Sequence, residues 1–193
     1  MLIRLTLLCV LFSAIIIPAR CQCFDQKPFD MRGSAINKVD AETIDQYSAS
    51  FIGCPMPTFS ALTIDSHKIS NASLRGKVVM FYFWGLHDGF SVQEMPYLNR
   101  VVDTFKKENV VFVSICRDDS SKWEKRSEKF FHFQHIARSK NLLSKFKCGP
   151  VAIIFDKKGK AVSFDFAWLS PDSKVIDDRS QDFINTIRKA LRE

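Results

Sequence analysis

Three continuous apolar runs of strand length decide most of what this chain can fold into. They are Lys77–Phe83 (KVVMFYF), Val110–Cys116 (VVFVSIC) and Val151–Asp156 (VAIIFD). A strand with one face in water alternates apolar and polar residues, whereas an unbroken run needs cover on both faces. The segments between the runs supply that cover. Gly89–Lys107 predicts a helix, in which Pro96 removes one intrahelical hydrogen bond and should bend the axis. Ser120–Phe131 predicts a second helix and Asn141–Phe146 a short third. Arg179–Arg192 predicts a closing amphipathic helix, with Phe183, Ile184, Ile187 and Leu191 on one face. Asp156-Lys157-Lys158-Gly159 reads as a turn that sends Lys160–Ala167 back antiparallel. Upstream, Phe59–Ile64 and His67–Ile69 flank Asp65-Ser66 as a hairpin. The expected fold class is therefore α/β, with a mixed central sheet flanked by helices and an N-terminal β-hairpin extension.

The ends of the chain read differently from its centre. Arg4 precedes an almost wholly apolar stretch, Leu5–Ile17, followed by Pro18, Ala19, Arg20 and Cys21. That run is short for a membrane span, so residues 1–21 are expected to be a signal peptide, with an uncleaved anchor or a lipidated Cys21 as the membrane-bound alternatives. Residues 22–50 are polar and weakly periodic, an irregular arm with a short helix around Ala41–Tyr47. Residues 51–193 form the expected domain. The net charge is +7, and losing residues 1–21 removes Arg4 and Arg20 and lowers it to +5. The basic residues Lys122, Lys125, Arg126 and Lys129 are interleaved with Glu124 and Glu128, a solvated helix face rather than a nucleic-acid surface. Export would place the chain in a periplasmic or extracellular, oxidising setting where disulfides persist. The six cysteines, at 9, 21, 23, 54, 116 and 148, show no zinc-type spacing, and no metal or other cofactor is expected. His132 and His135 read as part of a short strand rather than a metal site. Asn71-Ala72-Ser73 is a glycosylation sequon, with meaning only in a eukaryotic secretory pathway.

Lys77–Pro96 reads KVVMFYFWGLHDGFSVQEMP. It resembles the TlpA/ResA-like branch of the thioredoxin superfamily, whose members carry G-K, an apolar strand, then F-W-x-x-W-C-x-x-C-x-x-E-x-P. Gly76-Lys77, Phe83-Trp84, Glu94 and Pro96 fall in register. So do Gly53, Pro57 and Phe59 upstream, Asp118-Asp119 after the second strand, Pro150 at the position of the fold's cis-proline, and Asp156 with Gly159. The resemblance covers roughly Gly53 to Glu193. It implies a thioredoxin-like fold, and in an intact member it implies thiol-disulfide exchange.

The departure is at the centre of the motif. The family's two cysteines align with Asp88 and Ser91, and the tryptophan before them with His87. In an intact member the first cysteine sits at a helix N-terminus, where the helix dipole favours its thiolate; that thiolate attacks a disulfide and the second cysteine resolves the product. Neither Asp nor Ser can form a bond to sulfur of that kind. Asp88 is expected to cap the helix. The sharper alternative makes His87, Asp88 and Glu94 a polar site, with Glu94 bonded to Ser91, holding a cation, or simply inherited. Cys148 and Cys116 are placed beside the vacated motif. They read either as small buried residues, as a structural disulfide joining Cys148 to Cys116 or Cys54, or as a relocated redox pair.

Three functions follow as expectations. The first is a non-catalytic module that holds an extended peptide or partner protein in the groove between Trp84–Ser91 and the Pro150 loop. The second is an oxidoreductase or antioxidant protein acting through Cys148, Cys116 or both. The third is an accessory subunit attached through the Gln22–Ser50 arm.

Overall fold

The structure is a computed structural model that describes residues 41–85, 89–118, 132–137, 139–143, 150–166 and 172–193. The predicted Ser120–Phe131 helix, the arm up to residue 40 and the whole of residues 1–21 lie outside the described residues. The elements in chain order are α1 (Ala41–Ala49), β1 (Ser60–Leu62), β2 (Lys68–Ser70), α2 (Asn71–Leu74), β3 (Val78–Trp84), α3 (Gly89–Thr104), β4 (Val110–Cys116), β5 (Gln134–Ala137), α4 (Lys140–Leu143), β6 (Val151–Phe155), β7 (Ala161–Phe166) and α5 (Ser173–Arg192).

The three apolar runs are the three inner strands of a five-stranded mixed sheet, ordered β5-β4-β3-β6-β7. β3 pairs parallel with β4 and antiparallel with β6, β4 pairs parallel with β5, and β6 pairs antiparallel with β7. All seven residues of β3 are buried. Its odd-numbered side chains, Val79, Phe81 and Phe83, join Val113, Ile115, Ile153, Phe155, Phe164 and Phe166 in one core. Its even-numbered side chains, Val78, Met80, Tyr82 and Trp84, join Phe112, Cys116 and Ile154 in a second. Burial of each such side chain is worth about 1.5–3 kcal/mol, so β3, contributing to both cores, is the most heavily secured strand.

Different elements cover the two faces. α3 and α5 lie over the even face through Met95, Leu98, Val101, Phe183 and Ile187. α1 lies over the odd face, where Tyr47 packs edge-on to Phe51 and Phe164, and Phe51 stacks on Phe164 with centroids 4.2 Å apart. The predicted Ala41–Tyr47 helix is thus Ala41–Ala49, and Ile44 belongs to the domain's core.

Local chemistry fixes the connections. β1 and β2 form the expected hairpin, with Ser66 at a positive φ of 65° in its turn. In the β6–β7 turn, Asp156 Oδ1 accepts from the Lys158 and Lys160 amides at 2.9 and 2.8 Å, and Gly159 takes φ +74°, which glycine adopts at little cost. α3 continues through Pro96 as one helix. α5 begins six residues before the predicted Arg179. Asp172 caps it, accepting from the Lys174 amide at 2.8 Å, so the charged stretch from Ser173 to Asp178 is helical as well.

Asn71, the sequon residue, acts as a clamp. Its Oδ1 accepts from the Phe59 amide at 2.7 Å, and its Nδ2 donates to the Pro57 carbonyl at 3.0 Å. Both amide atoms are therefore spent on holding the segment that carries Pro57 and Phe59 into β1. Asn71→Ala should cost roughly 1–3 kcal/mol, the usual penalty for orphaned backbone groups, and Asn71→Asp, which keeps the acceptor, should cost less; denaturant midpoints of the two variants measure this.

Candidate functional site

The C-terminal ends of β3 and β4 form the edge at which ligand sites gather in open α/β sheets. Trp84 and Cys116 are register partners there, and the Arg117 amide donates to the Trp84 carbonyl at 3.1 Å. Gly85 follows, with the side chains of Arg117 and Asp118 within van der Waals range of where a Cβ would stand. α3 then starts at Gly89. Its first turn buries Ser91 completely and leaves Phe90 and Val92 38% and 49% exposed, so apolar surface faces outward beside the sheet's end. Pro150 is buried immediately before β6. His87, Asp88, Gly149 and Cys148 lie outside the described residues, as does the expected helix cap by Asp88.

The cysteines separate into two kinds. Cys54 is fully buried and disulfide-bonded. Cys116 is free, so the partner of Cys54 lies outside the described residues. Of the alternatives open for these residues, Cys54 is a disulfide cysteine rather than an available thiol, and Cys116 is a small buried residue rather than half of a disulfide. Cys116 is fully buried, and burial pushes its thiol up to about 11, against a small opposing effect of the Asp118 amide, which lies 3.4 Å from the sulfur. A thiolate is the reactive form. At neutral pH Cys116 is therefore an unreactive core residue.

Glu94 holds a cation, and that cation is internal. On α3 it faces the sheet, 5% exposed. Tyr82 Oη donates to its Oε2 at 2.9 Å, and Arg179 Nη2 of α5 lies 2.9 Å from its Oε1. Arg179 Nη1 donates to the Phe166 carbonyl at 2.9 Å and lies 3.6 Å from Asp165 Oδ1. A line of contacts thus runs Tyr82–Glu94–Arg179–Asp165, from β3 to β7. It passes over β6 at Ala152, which stands between Tyr82 and Asp165 in the sheet register. The same transverse row continues the other way through Ser114 to His135, whose Nδ1 lies 2.5 Å from Ser114 Oγ, both groups buried. His132 is elsewhere, exposed and 2.8 Å from Asp103 on α3, so the two histidines do not converge. No group of three or more metal-ligating side chains occurs among the described residues.

Arg179 and Asp165 were not among the candidate residues. A signal existed for both. Ile176, Arg179, Phe183, Ile187 and Ala190 are all buried at helical spacing, so Arg179 is a charge within the apolar stripe. In β7, Asp165 lies between Phe164 and Phe166, on the opposite sheet face from them and toward α5. A buried charge requires a partner; Arg179 finds its close one in Glu94 at 2.9 Å, and Asp165 lies 3.6 Å from the same guanidinium.

Residues 52–164 match the family model described as the AhpC/TSA family. The chain belongs to that family. Within it, the chain is 27% identical over 116 residues to thiol-disulfide oxidoreductase ResA of Bacillus cereus, covering 58% of this chain and 67% of that protein. It is 28% identical over 118 residues to ResA of Geobacillus kaustophilus, covering 58% of this chain and 68% of the relative. Among solved structures, a thiol:disulfide interchange protein from a Bacteroides species superposes with TM-score 0.59 at 20% identity, covering 74% of this chain and 91% of that one. A secreted disulfide oxidoreductase from Mycobacterium tuberculosis superposes with TM-score 0.56 at 20% identity, covering 68% and 96%. The TlpA/ResA-like resemblance and the thioredoxin-like mixed sheet are thereby established, and the chain is a TlpA/ResA-like member of the thioredoxin superfamily.

Two outcomes test the site. Arg179→Met leaves Glu94 buried without its cation and should cost about 3–5 kcal/mol, whereas Arg179→Met combined with Glu94→Leu should recover much of that loss; a double-mutant cycle in denaturant reads it. Native protein at pH 7 should leave Cys116 unalkylated by iodoacetamide over a period that labels it fully in denaturant; rapid native labelling of Cys116 would show that its burial does not protect it.

Proposed function

We propose that the chain is an exported, non-catalytic thioredoxin-like module that holds an extended peptide or protein segment at the N-terminal end of α3 and beside Pro150. The observation that carries this reading is the first turn of α3: the fully buried residue at the position of the family's second cysteine is Ser91, and its exposed neighbours, Phe90 and Val92, are apolar. Asp88 stands where the first cysteine would, so sulfur chemistry at the motif has no nucleophile and no resolving thiol. Of the surface that an intact relative would present around its thiols, Trp84, Ser91, Glu94 and Pro150 are present and buried. Backbone pairing with an extended segment is the common mode for such a surface.

Export rests on the Leu5–Ile17 apolar stretch behind Arg4 and is supported by the Cys54 disulfide, a bond suited to an oxidising compartment. The competing reading, an oxidoreductase working through Cys116, meets a thiol that is buried and nearly always protonated. Cys148 is the remaining candidate for that chemistry.

The expected outcome in an insulin-reduction assay is no turnover by the protein as it stands. The variant Asp88→Cys with Ser91→Cys should gain turnover, because the scaffold around the motif persists. Turnover by the unmodified protein that disappears in Cys148→Ser would overturn the non-catalytic reading. For binding, a pool of unstructured cysteine-free peptides should contain members retained by the protein and lost on Phe90→Asp; a protein that retains none of them lacks the proposed activity.

A further inference from the structure

The contacts around Arg179 contain two carboxylates and one guanidinium, and they are not equivalent. Glu94 has the better place: Arg179 Nη2 at 2.9 Å, and a hydrogen bond from Tyr82 Oη at 2.9 Å. Asp165 has the weaker one. Its nearest guanidinium nitrogen, Nη1, is 3.6 Å away, too far for a hydrogen bond, and that nitrogen donates to the Phe166 carbonyl instead. Asp165 Oδ1 is out of contact with water and has no hydrogen-bond partner, although the side chain as a whole remains 29% exposed. Among the described residues, the other groups facing it offer no relief. Asp182 of α5 adds a second negative charge, Ala152 of β6 is apolar, and Tyr82 of β3 is spent on Glu94.

We propose that Asp165 is a proton-binding site that sets how firmly α5 holds the first turns of α3. Glu94 has first claim on Arg179, the cluster carries one negative charge too many for its burial, and the excess is removed by a proton from solvent adding to the Asp165 carboxylate. The step is a simple protonation, carboxylate to carboxylic acid, through the exposed part of the side chain. With Asp165 neutral, Arg179 serves Glu94 and the Phe166 carbonyl without a competing anion. The proposal stands independently of the peptide-binding reading.

Its direction is opposite to that of most carboxylates. Burial pushes Asp165 up to about 6, with Arg179 pulling it down and Asp182 pushing it further up. The folded carboxyl therefore holds its proton in a range where the unfolded one, near 3.8, has lost it. The associated stability is fully present below the unfolded value and is lost as pH rises through about 6. Between pH 7 and 5 the folding equilibrium constant should rise up to about tenfold from this group alone.

The test follows the Asp165 carboxyl carbon by NMR through a pH titration of the intact protein, together with unfolding midpoints of the protein and of Asp165→Asn at pH 5 and 7. The expected inflection lies near 6, and Asp165→Asn, an isosteric neutral group, should lack the acid-side gain in stability. Glu94→Gln should lower the Asp165 inflection, because Arg179 then has one carboxylate instead of two; a purely structural role for Glu94 would not move it. An inflection near the ordinary value of 3.8 would overturn the proposal. So would an Asp165→Asn variant that keeps the same pH profile, or a Glu94→Gln variant with an unmoved inflection.

Discussion

The arrangement of this domain depends on one buried contact, Arg179 of α5 against Glu94 of α3. Two helices share the even face of the sheet, and apolar packing alone would allow them to slide or rotate at modest cost. A buried ion pair does not. Taking two charges out of water costs several kcal/mol each, and only close geometry with further hydrogen bonds recovers it. Here Tyr82 donates to Glu94 and Arg179 Nη1 donates to the Phe166 carbonyl, so one strand at the sheet's centre and one at its edge help fix the crossing of the helices. The exposed pair Arg100–Asp177 joins the same helices and adds little, since both partners are largely in water.

That contact determines where the first turn of α3 sits. Glu94 lies one helical turn beyond Ser91, so anchoring its carboxylate over the sheet turns Ser91 inward and leaves Phe90 and Val92 facing out. The neighbouring strand ends are equally constrained. Trp84 and Cys116 are locked in register and buried, and the sulfur is kept protonated by its surroundings. Among the described residues, this edge is mostly apolar and its thiol, Cys116, is buried.

Much of this was legible in the residues themselves. Unbroken apolar runs can only be inner strands, and all three of them are. The turn at Asp156–Gly159 and the hairpin at Asp65-Ser66 were readable because their backbone geometry demands those residue types. The start of α5 was not, because Ser173–Asp178 reads as a charged loop until Asp172 is seen capping it. The same error hid Arg179: placed at the first position of a helix it appears solvated, whereas in the second turn it falls within the buried stripe. The pairing of Arg179 with Glu94 joins residues far apart in the chain, and no local pattern encodes it. Cys116 was legible as buried, and a disulfide at Cys54 was among the readings, but spacing alone could not choose between Cys54 and Cys116 because a bond between distant cysteines depends on chain paths.

The presence of Glu94 can now be explained without any redox role. In the motif it resembles, a glutamate at this position accompanies two cysteines, and its retention beside Asp88 and Ser91 could be read as a trace of lost chemistry. The geometry gives it present work. A neutral residue there would leave Arg179 buried against a single distant carboxylate at 3.6 Å, and Tyr82 Oη without the acceptor it now uses. In this chain Glu94, Tyr82 and Arg179 require one another whatever stands at positions 88 and 91, so the charge network alone accounts for the glutamate.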